Sequence, residues 1–349
     1  MTTNKDSILI DWRIFMHIII DDFGMGLYKK SERLVIKKNG ETVQEIPFFD
    51  VEDILFMTKG AVISTDVITE CTEHGIQIHF LDYKQQPIAS LYSPTLHATV
   101  KTRREQILSL YDNRSVQMVR EILTAKITNQ YRVLKYYLKS KNKVDDEYKK
   151  ILEISRHILE YAKDIEKIDG SSIDRVRDQF FSVEGRAAKH YWQGVQMLLQ
   201  KKINFPGREQ RGTNDPINMM FNYGYAILGG YVQSAILRAG LEPFAGILHT
   251  DRPGKKSLQY DMIEVFRQPV IDRAVISLLS KGFQPKIEEG LLDLDTRKRI
   301  SEKVIERLNA RESYDGKKYT IQSIIQLQTR ELASFFRENK PYKAFVGSW

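Results

Sequence analysis

Hydrophobic periodicity changes once along this 349-residue chain, and that change limits the fold more than any composition figure does. Before about residue 92, apolar and polar residues alternate in short runs; afterwards apolar residues recur three and four apart. Leu34 and Ile36 alternate with Lys and Arg up to Asn39-Gly40, and Val43 and Ile46 follow. An Asn-Gly pair between two such runs predicts a hairpin, because both turn positions require positive φ. Residues 54–57, 76–81 and 87–91 read as further strands, and a helix is expected from a Ser64 or Thr65 cap to Gly75. Residues 92–97, with Pro94, read as a linker. Helical spacing then covers 98–111, 115–141, 146–168 and 171–199, and 201–214, with Pro206 and Gly207, reads as a loop. Asp215-Pro216 is a cap followed by proline at the first helical position, opening a helix to about 239. Further helices fit 258–266, 270–281, 296–311 and 321–338. The expected class is α+β: a small β-rich domain (1–91), the linker (92–97), and a large all-α domain (98–349).

Charge follows the same division. Residues 1–97 carry 9 Lys/Arg against 14 Asp/Glu, whereas 98–349 carry 44 against 31. A net +13 confined to the helical part is the field that attracts polyanions, nucleic acid foremost. The single cysteine, Cys71, excludes a disulfide framework and a cysteine-cluster zinc site within one chain. No stretch approaches the roughly 20 apolar residues of a membrane span, and the N-terminus lacks a basic n-region, so a cytoplasmic protein is expected. Phosphate-binding glycine loops, a nucleophile elbow and His-Glu-x-x-His are absent.

What remains is a set of acidic residues and one histidine in apolar or small-residue surroundings. Glu184 shares a helical face with Ala187, Ala188 and Tyr191, which leaves room for an approaching group or for an ion pair. His249 ends the run Phe244-Ala-Gly-Ile-Leu and is either a core histidine or a ligand at a loop edge. Asp261 and Glu264, three apart among Met262, Ile263, Val265 and Phe266, either share a cation or face solvent. Asp215, Asn218, Asn222 and Tyr225 form a polar stripe on an otherwise apolar helix, either an internal network or support for metal ligands. Two or three carboxylates with one imidazole suit Mg²⁺ or Mn²⁺ better than zinc. Beside a basic surface, such a site points to phosphodiester chemistry. Arg208 and Arg211, and Arg252, Lys255 and Lys256 after His249, are candidates for clamping phosphates. Tyr223, Tyr191 and Trp192 are either base-stacking platforms or core.

Four motifs occur in order between about 180 and 275: Phe181-Ser-Val-Glu184-Gly; Arg211-Gly-Thr-Asn-Asp215-Pro-Ile-Asn218-x3-Asn222-Tyr223-Gly-Tyr225-Ala; Ala239-Gly-Leu-Glu-Pro243-x2-Gly246-x2-His249; and Ser257-Leu-x2-Asp261-x2-Glu264-x-Phe-Arg267. Together they resemble CRISPR-associated endonuclease one, the integrase of CRISPR adaptation. The resemblance implies that Glu184, His249 and Glu264 hold a divalent ion and that Asp261 supports the site or binds a second ion. It further implies joining of the 3′-hydroxyls of short foreign DNA to a CRISPR repeat by transesterification, with hydrolysis appearing as nuclease activity. Partners implied are double-stranded DNA, a second copy bound through the β domain, and a small ferredoxin-like adaptation protein. Two other readings stand beside it: a repair nuclease acting on branched DNA, and a DNA-binding scaffold without chemistry.

Overall fold

The computed structural model describes residues 16–81, 87–91, 100–209 and 214–349, and the chain divides into two units, Met1–Leu96 and His97–Trp349. The 92–97 linker lies outside the described residues. Strands β1 (Met16–Ile20), β2 (Met25–Lys30), β3 (Arg33–Lys38), β4 (Glu41–Pro47), β5 (Val51–Phe56) and β6 (Val62–Ile63) precede helix α1 (Thr65–His74), and β7 (Gln77–Leu81) and β8 (Pro87–Leu91) follow it. They form two four-stranded sheets, ordered β4-β3-β2-β6 and β1-β5-β7-β8. Asn39 (φ 51°) and Gly40 (φ 90°) provide the left-handed turn of the β3–β4 hairpin. Ser64 caps α1 by accepting the Val67 amide at 3.4 Å, and Gly75 (φ 71°) ends it. Strand β1 escaped the sequence reading. It pairs parallel to β5, and its run Ile18-Ile-Ile lacks the alternation that marks a half-exposed strand.

The second unit is helical: α2 (Val100–Leu108), α3 (Asn113–Leu138), α4 (Asp146–Lys167), α5 (Ile173–Leu199), α6 (Pro216–Arg238), α7 (Ser257–Phe266), α8 (Arg273–Ser280), α9 (Leu294–Asn309) and α10 (Ile321–Glu338). Asp215 caps α6 by accepting the Asn218 amide at 2.7 Å, with Pro216 at the first position. Among the described residues, no helix is long and apolar enough to cross a membrane. The expected all-α character needs one correction. Two short hairpins, β9 (Ile287–Glu288) with β10 (Leu291–Leu292) and β11 (Arg311–Tyr314) with β12 (Lys317–Thr320), interrupt the helices. Asp315 (φ 47°) and Gly316 (φ 72°) make the second turn by the same chemistry as Asn39-Gly40.

Helix α3 lies at the centre, packed against α4, α5 and α7. Between α7 and α8 the chain does not stop; it widens into a π-helical segment, Arg267–Asp272. Pro269 supplies the cause, because proline has no N–H for the Val265 carbonyl one turn back and its ring crowds that carbonyl. The freed Val265 carbonyl accepts from Asn129 Nδ2 at 3.1 Å. Asn129, wholly buried on α3, also donates to the Phe345 carbonyl (3.2 Å) and accepts from the Gly347 amide (3.0 Å). The C-terminal tail is thereby fastened to α3. Arg307 of α9 donates to the Pro269 carbonyl at 3.0 Å and secures the π-helical segment from the other side.

Asn129→Leu would strand three buried backbone groups, each costing about 1–3 kcal/mol. Urea unfolding should show a loss of about 3 kcal/mol or more. A loss below ~1 kcal/mol would mean that those groups find other partners.

Candidate metal centre

The site is organised by Asp261, which has no solvent exposure. Its Oδ2 accepts the amides of Ile247 (2.6 Å) and Leu248 (3.1 Å), and its Oδ1 accepts the amide (2.9 Å) and Nδ1 (2.7 Å) of His249. One carboxylate on α7 therefore fixes both the backbone and the ring of the preceding loop. Gly246 permits this fold-back, since a Cβ there would lie 2.4 Å from Ser257 Cβ and 2.5 Å from the His249 carbonyl oxygen. Arg177 of α5 donates to the Leu248 (3.1 Å) and Ile247 (3.2 Å) carbonyls. Gln106 of α2 grips the loop's start through Glu242 and Ala245.

Because an ionised Asp261 can only accept, Nδ1 of His249 carries the proton and Nε2 keeps its lone pair for a ligand. The ring lies between Phe181 (centroids 6.1 Å apart) and Tyr260 (6.0 Å). Phe181 stands one helical turn before Glu184 on α5, so the imidazole and that carboxylate border the same space.

Glu264 follows Asp261 by one turn of α7 and has 4% exposure. Its Oε1 pairs with Arg267 at 3.2 Å and its Oε2 with Lys126 Nζ at 2.6 Å, the latter without hydrogen-bond geometry. Glu184 Oε1 lies 2.5 Å from the same Nζ. Burial pushes the Glu264 carboxyl up, but Arg267 and Lys126 together outweigh it and hold the group down at about 2. Burial likewise works against the Lys126 ammonium, which Glu184 and Glu264 nonetheless keep above its ordinary value. Sequence reasoning did not single out Lys126, the residue that joins the two glutamates.

The structure therefore brings Glu184 and Glu264 together through an ammonium and sets His249 beside them. The chemistry of this donor set suits a divalent cation: two carboxylates already sharing one cation, and one imidazole nitrogen with its tautomer fixed. The oxygens are hard ligands, and Glu264 Oε2 has a charge partner but no directed hydrogen bond to lose. Among the described residues, one group of three donor atoms lies within 4.8 Å of one another, and it is elsewhere: Glu32, Glu70 and His74. There Lys29 already neutralises Glu70, and Glu32 and His74 face solvent.

The other candidates divide. Asp261 spends its oxygens on Ile247, Leu248 and His249, which makes it a positioning residue. Asn218 and Asn222 hold Arg208: the guanidinium donates to Asn218 Oδ1 (2.9 Å) and Asn222 Oδ1 (2.6 Å) and lies over the rings of Trp192, Phe221 and Tyr225. Arg208 thus turns into the fold instead of out towards a phosphate. Arg211 lies outside the described residues. Tyr223 bonds Ser301 of α9 at 3.2 Å. Tyr191 is fully buried. Arg252 is exposed on the loop after His249, Lys255 lies over the Tyr260 ring, and Lys256 bonds Gln233 at 2.6 Å. Partial burial brings the Lys256 ammonium down to about 8.

Behind Arg267, which stacks on Tyr225 at 4.7 Å, Asp272 accepts from Tyr191 (2.7 Å) and Tyr225 (2.5 Å). Burial raises its carboxyl to about 6, more than the two hydroxyls and the arginines lower it. The native state then holds this proton more tightly than the unfolded chain does. Stability contributed by the protonated form is lost as pH climbs from about 3.8 to about 6. In chelator, Asp272→Asn should flatten that fall by up to about 3 kcal/mol in denaturation measured across the window. Parallel pH profiles for the two proteins would exclude Asp272 as its source.

Comparison with known proteins gives one consistent result. A family model described as CRISPR associated protein Cas1 matches residues 18–306. A CRISPR-associated endonuclease Cas1 of Archaeoglobus fulgidus is 32% identical over 347 residues, covering 96% of this chain and 100% of the relative. A casposase bound to integration product superposes with a TM-score of 0.77 at 25% identity, covering 95% of this chain and 93% of that one. The Cas6-RT-Cas1–Cas2 complex shares the fold with a TM-score of 0.75 at 17% identity, covering 96% of this chain and 36% of that one.

Proposed function

This chain belongs to the Cas1 family of CRISPR-associated endonucleases, and from that premise we propose that Glu184, His249 and Glu264 hold Mg²⁺ or Mn²⁺ for DNA strand transfer. As an enzyme of the endonuclease and integrase type, it acts in CRISPR adaptation. The observation that carries the site assignment is the shared cation between Glu184 and Glu264, beside an imidazole whose Nε2 is left open by Asp261.

A bound divalent ion would polarise the scissile phosphate and stabilise charge on the leaving oxygen. The residues do the rest. Glu184 and Glu264 present oxygens from α5 and α7, and His249 presents Nε2 from a loop that cannot swing because Asp261 and Arg177 hold it. Arg267 keeps Glu264 ionised and in place. The 3′-hydroxyl oxygen of an incoming fragment attacks a phosphodiester at the repeat boundary. A new P–O bond forms, the bond to the repeat strand's 3′ oxygen breaks, and a proton passes from the attacking hydroxyl to the leaving oxygen through solvent.

Arg252 and Lys255, on the loop that His249 begins, supply positive charge at the site's edge for the DNA backbone. The net +13 of residues 98–349 extends that field. The acidic β unit is the part suited to protein pairing, so we assign it a homodimer contact. A small ferredoxin-like adaptation partner joins the complex, by analogy with the Cas1–Cas2 assembly of similar fold. The DNA-containing compartment, the cytoplasm, is where such an enzyme works.

Strand transfer tests the proposal. Purified protein, with and without the small partner, receives Mn²⁺ or Mg²⁺, a short duplex with free 3′-hydroxyls and a plasmid bearing a CRISPR repeat. Covalent joining should require the ion and the 3′-hydroxyl, and Glu184→Ala, His249→Ala and Glu264→Ala should each lose at least about 100-fold. Metal-dependent cutting without joining would replace the integrase with a branched-DNA nuclease. Unchanged activity in all three variants would overturn the site.

A further inference from the structure

Lys126 lies on the buried face of α3, and its side chain is 8% exposed. Val119, Ile122, Leu123, Ile127 and Gln130 surround it along α3, all at 1% exposure or less. An ammonium in such a place loses several kcal/mol of hydration unless anions replace the water. Glu184 and Glu264 do so, at 2.5 and 2.6 Å. The converse holds as well: two carboxylates this close repel unless a cation lies between them. Formal charge over the four paired groups sums to zero, with Glu184 and Glu264 against Lys126 and Arg267.

Resting on the reading of Glu184, His249 and Glu264 as ligands, we infer that Lys126 is the site's resident counter-cation, holding the place between the two glutamates until a divalent ion takes it. Entry of the ion frees the ammonium from both carboxylates, and the four-carbon stem lets it turn aside while remaining at the site. The retained ammonium then adds positive charge where the phosphodiester under attack gains negative charge, so it favours the transition state over the resting enzyme. Lys126 thus acts as a positioning residue in the metal-free protein, and its cost is a weakened first binding of the ion.

A lysine that merely tied α3, α5 and α7 together predicts something different. Its removal would loosen the ligands and weaken ion binding along with the fold. Removal of a competing cation must tighten ion binding while the metal-free fold weakens. Lys126→Met keeps the stem and deletes the charge. Calorimetric Mn²⁺ titration should give a dissociation constant at least about tenfold lower than that of the parent protein. The melting temperature should fall in chelator, and the Mn²⁺-induced rise should grow. Adding Glu264→Gln to Lys126→Met removes one of the two anions that lost the ammonium and should restore part of the metal-free stability.

If Lys126→Met folds only with Mn²⁺ present, that dependence itself supports the inference. Lys126→Gln, which can still hydrogen-bond both carboxylates, then supplies the dissociation constant and should shift it the same way. Equal or weaker Mn²⁺ binding in both variants, with parent binding that still needs Glu184 and His249, would overturn the counter-cation and leave the metal site standing. Parent protein that binds no Mn²⁺ through Glu184 and His249 would overturn both.

Discussion

A carboxylate with no solvent exposure needs donors for both of its oxygens, and Asp261 collects four: three consecutive amides and one imidazole. Everything else at the site depends on that convergence. It ties the loop after α6 to α7, orients His249, and fixes which ring nitrogen remains a lone pair. Glu264, one turn on, inherits its direction from the same helix.

The continuation of α7 is shaped by Pro269. Without that proline, an unbroken α-helix would use the Val265 carbonyl internally; with it, the carbonyl is left to Asn129 and the helix widens. Gly224 of α6 allows the widened turn to pack, because a Cβ there would meet Ile271 at 2.6 Å. The widened turn runs from Arg267 to Asp272, so it carries both the arginine that faces Glu264 and the aspartate held by Tyr191 and Tyr225. A local backbone fault thus places two charges in the core, one on each side of the Tyr225 hydroxyl and ring.

Legibility in the sequence followed the range of the interactions. Asn39-Gly40, the Ser64-to-Gly75 helix and Asp215-Pro216 were readable because their causes lie within a few residues. Asp315-Gly316 carried the same signal but sat among helical patterns, where the short hairpin went unread. Lys126 shows the other limit. It occupies the apolar stripe of α3 with Val119, Leu123 and Gln130, spaced 4, 3 and 4 apart, and a charge on that stripe was the available clue. Nothing local says what pairs with it, since Glu184 and Glu264 are 58 and 138 positions away. Arg208 illustrates the same point in reverse: its loop position suggested an outward clamp, while Trp192, Phe221 and Tyr225, drawn from two helices, turn it inward.

These inward arginines connect the two halves of the helical unit's polar interior. Arg208 lies over one ring, Tyr225, that Arg267 also covers, at 5.6 and 4.7 Å. Arg267 reaches Glu264, and Arg208 reaches Asn218, which in turn holds the Gly207 carbonyl and Asp215. The loop before α6 is therefore attached to Glu264 through a chain of two cations and one aromatic face. Cation–π contacts of this sort hold position without neutralising charge, and the Asp272 carboxyl near them is raised by burial and tied by two hydroxyls. The interior thus keeps positive charge close behind the glutamates, where it lowers the Glu264 carboxyl.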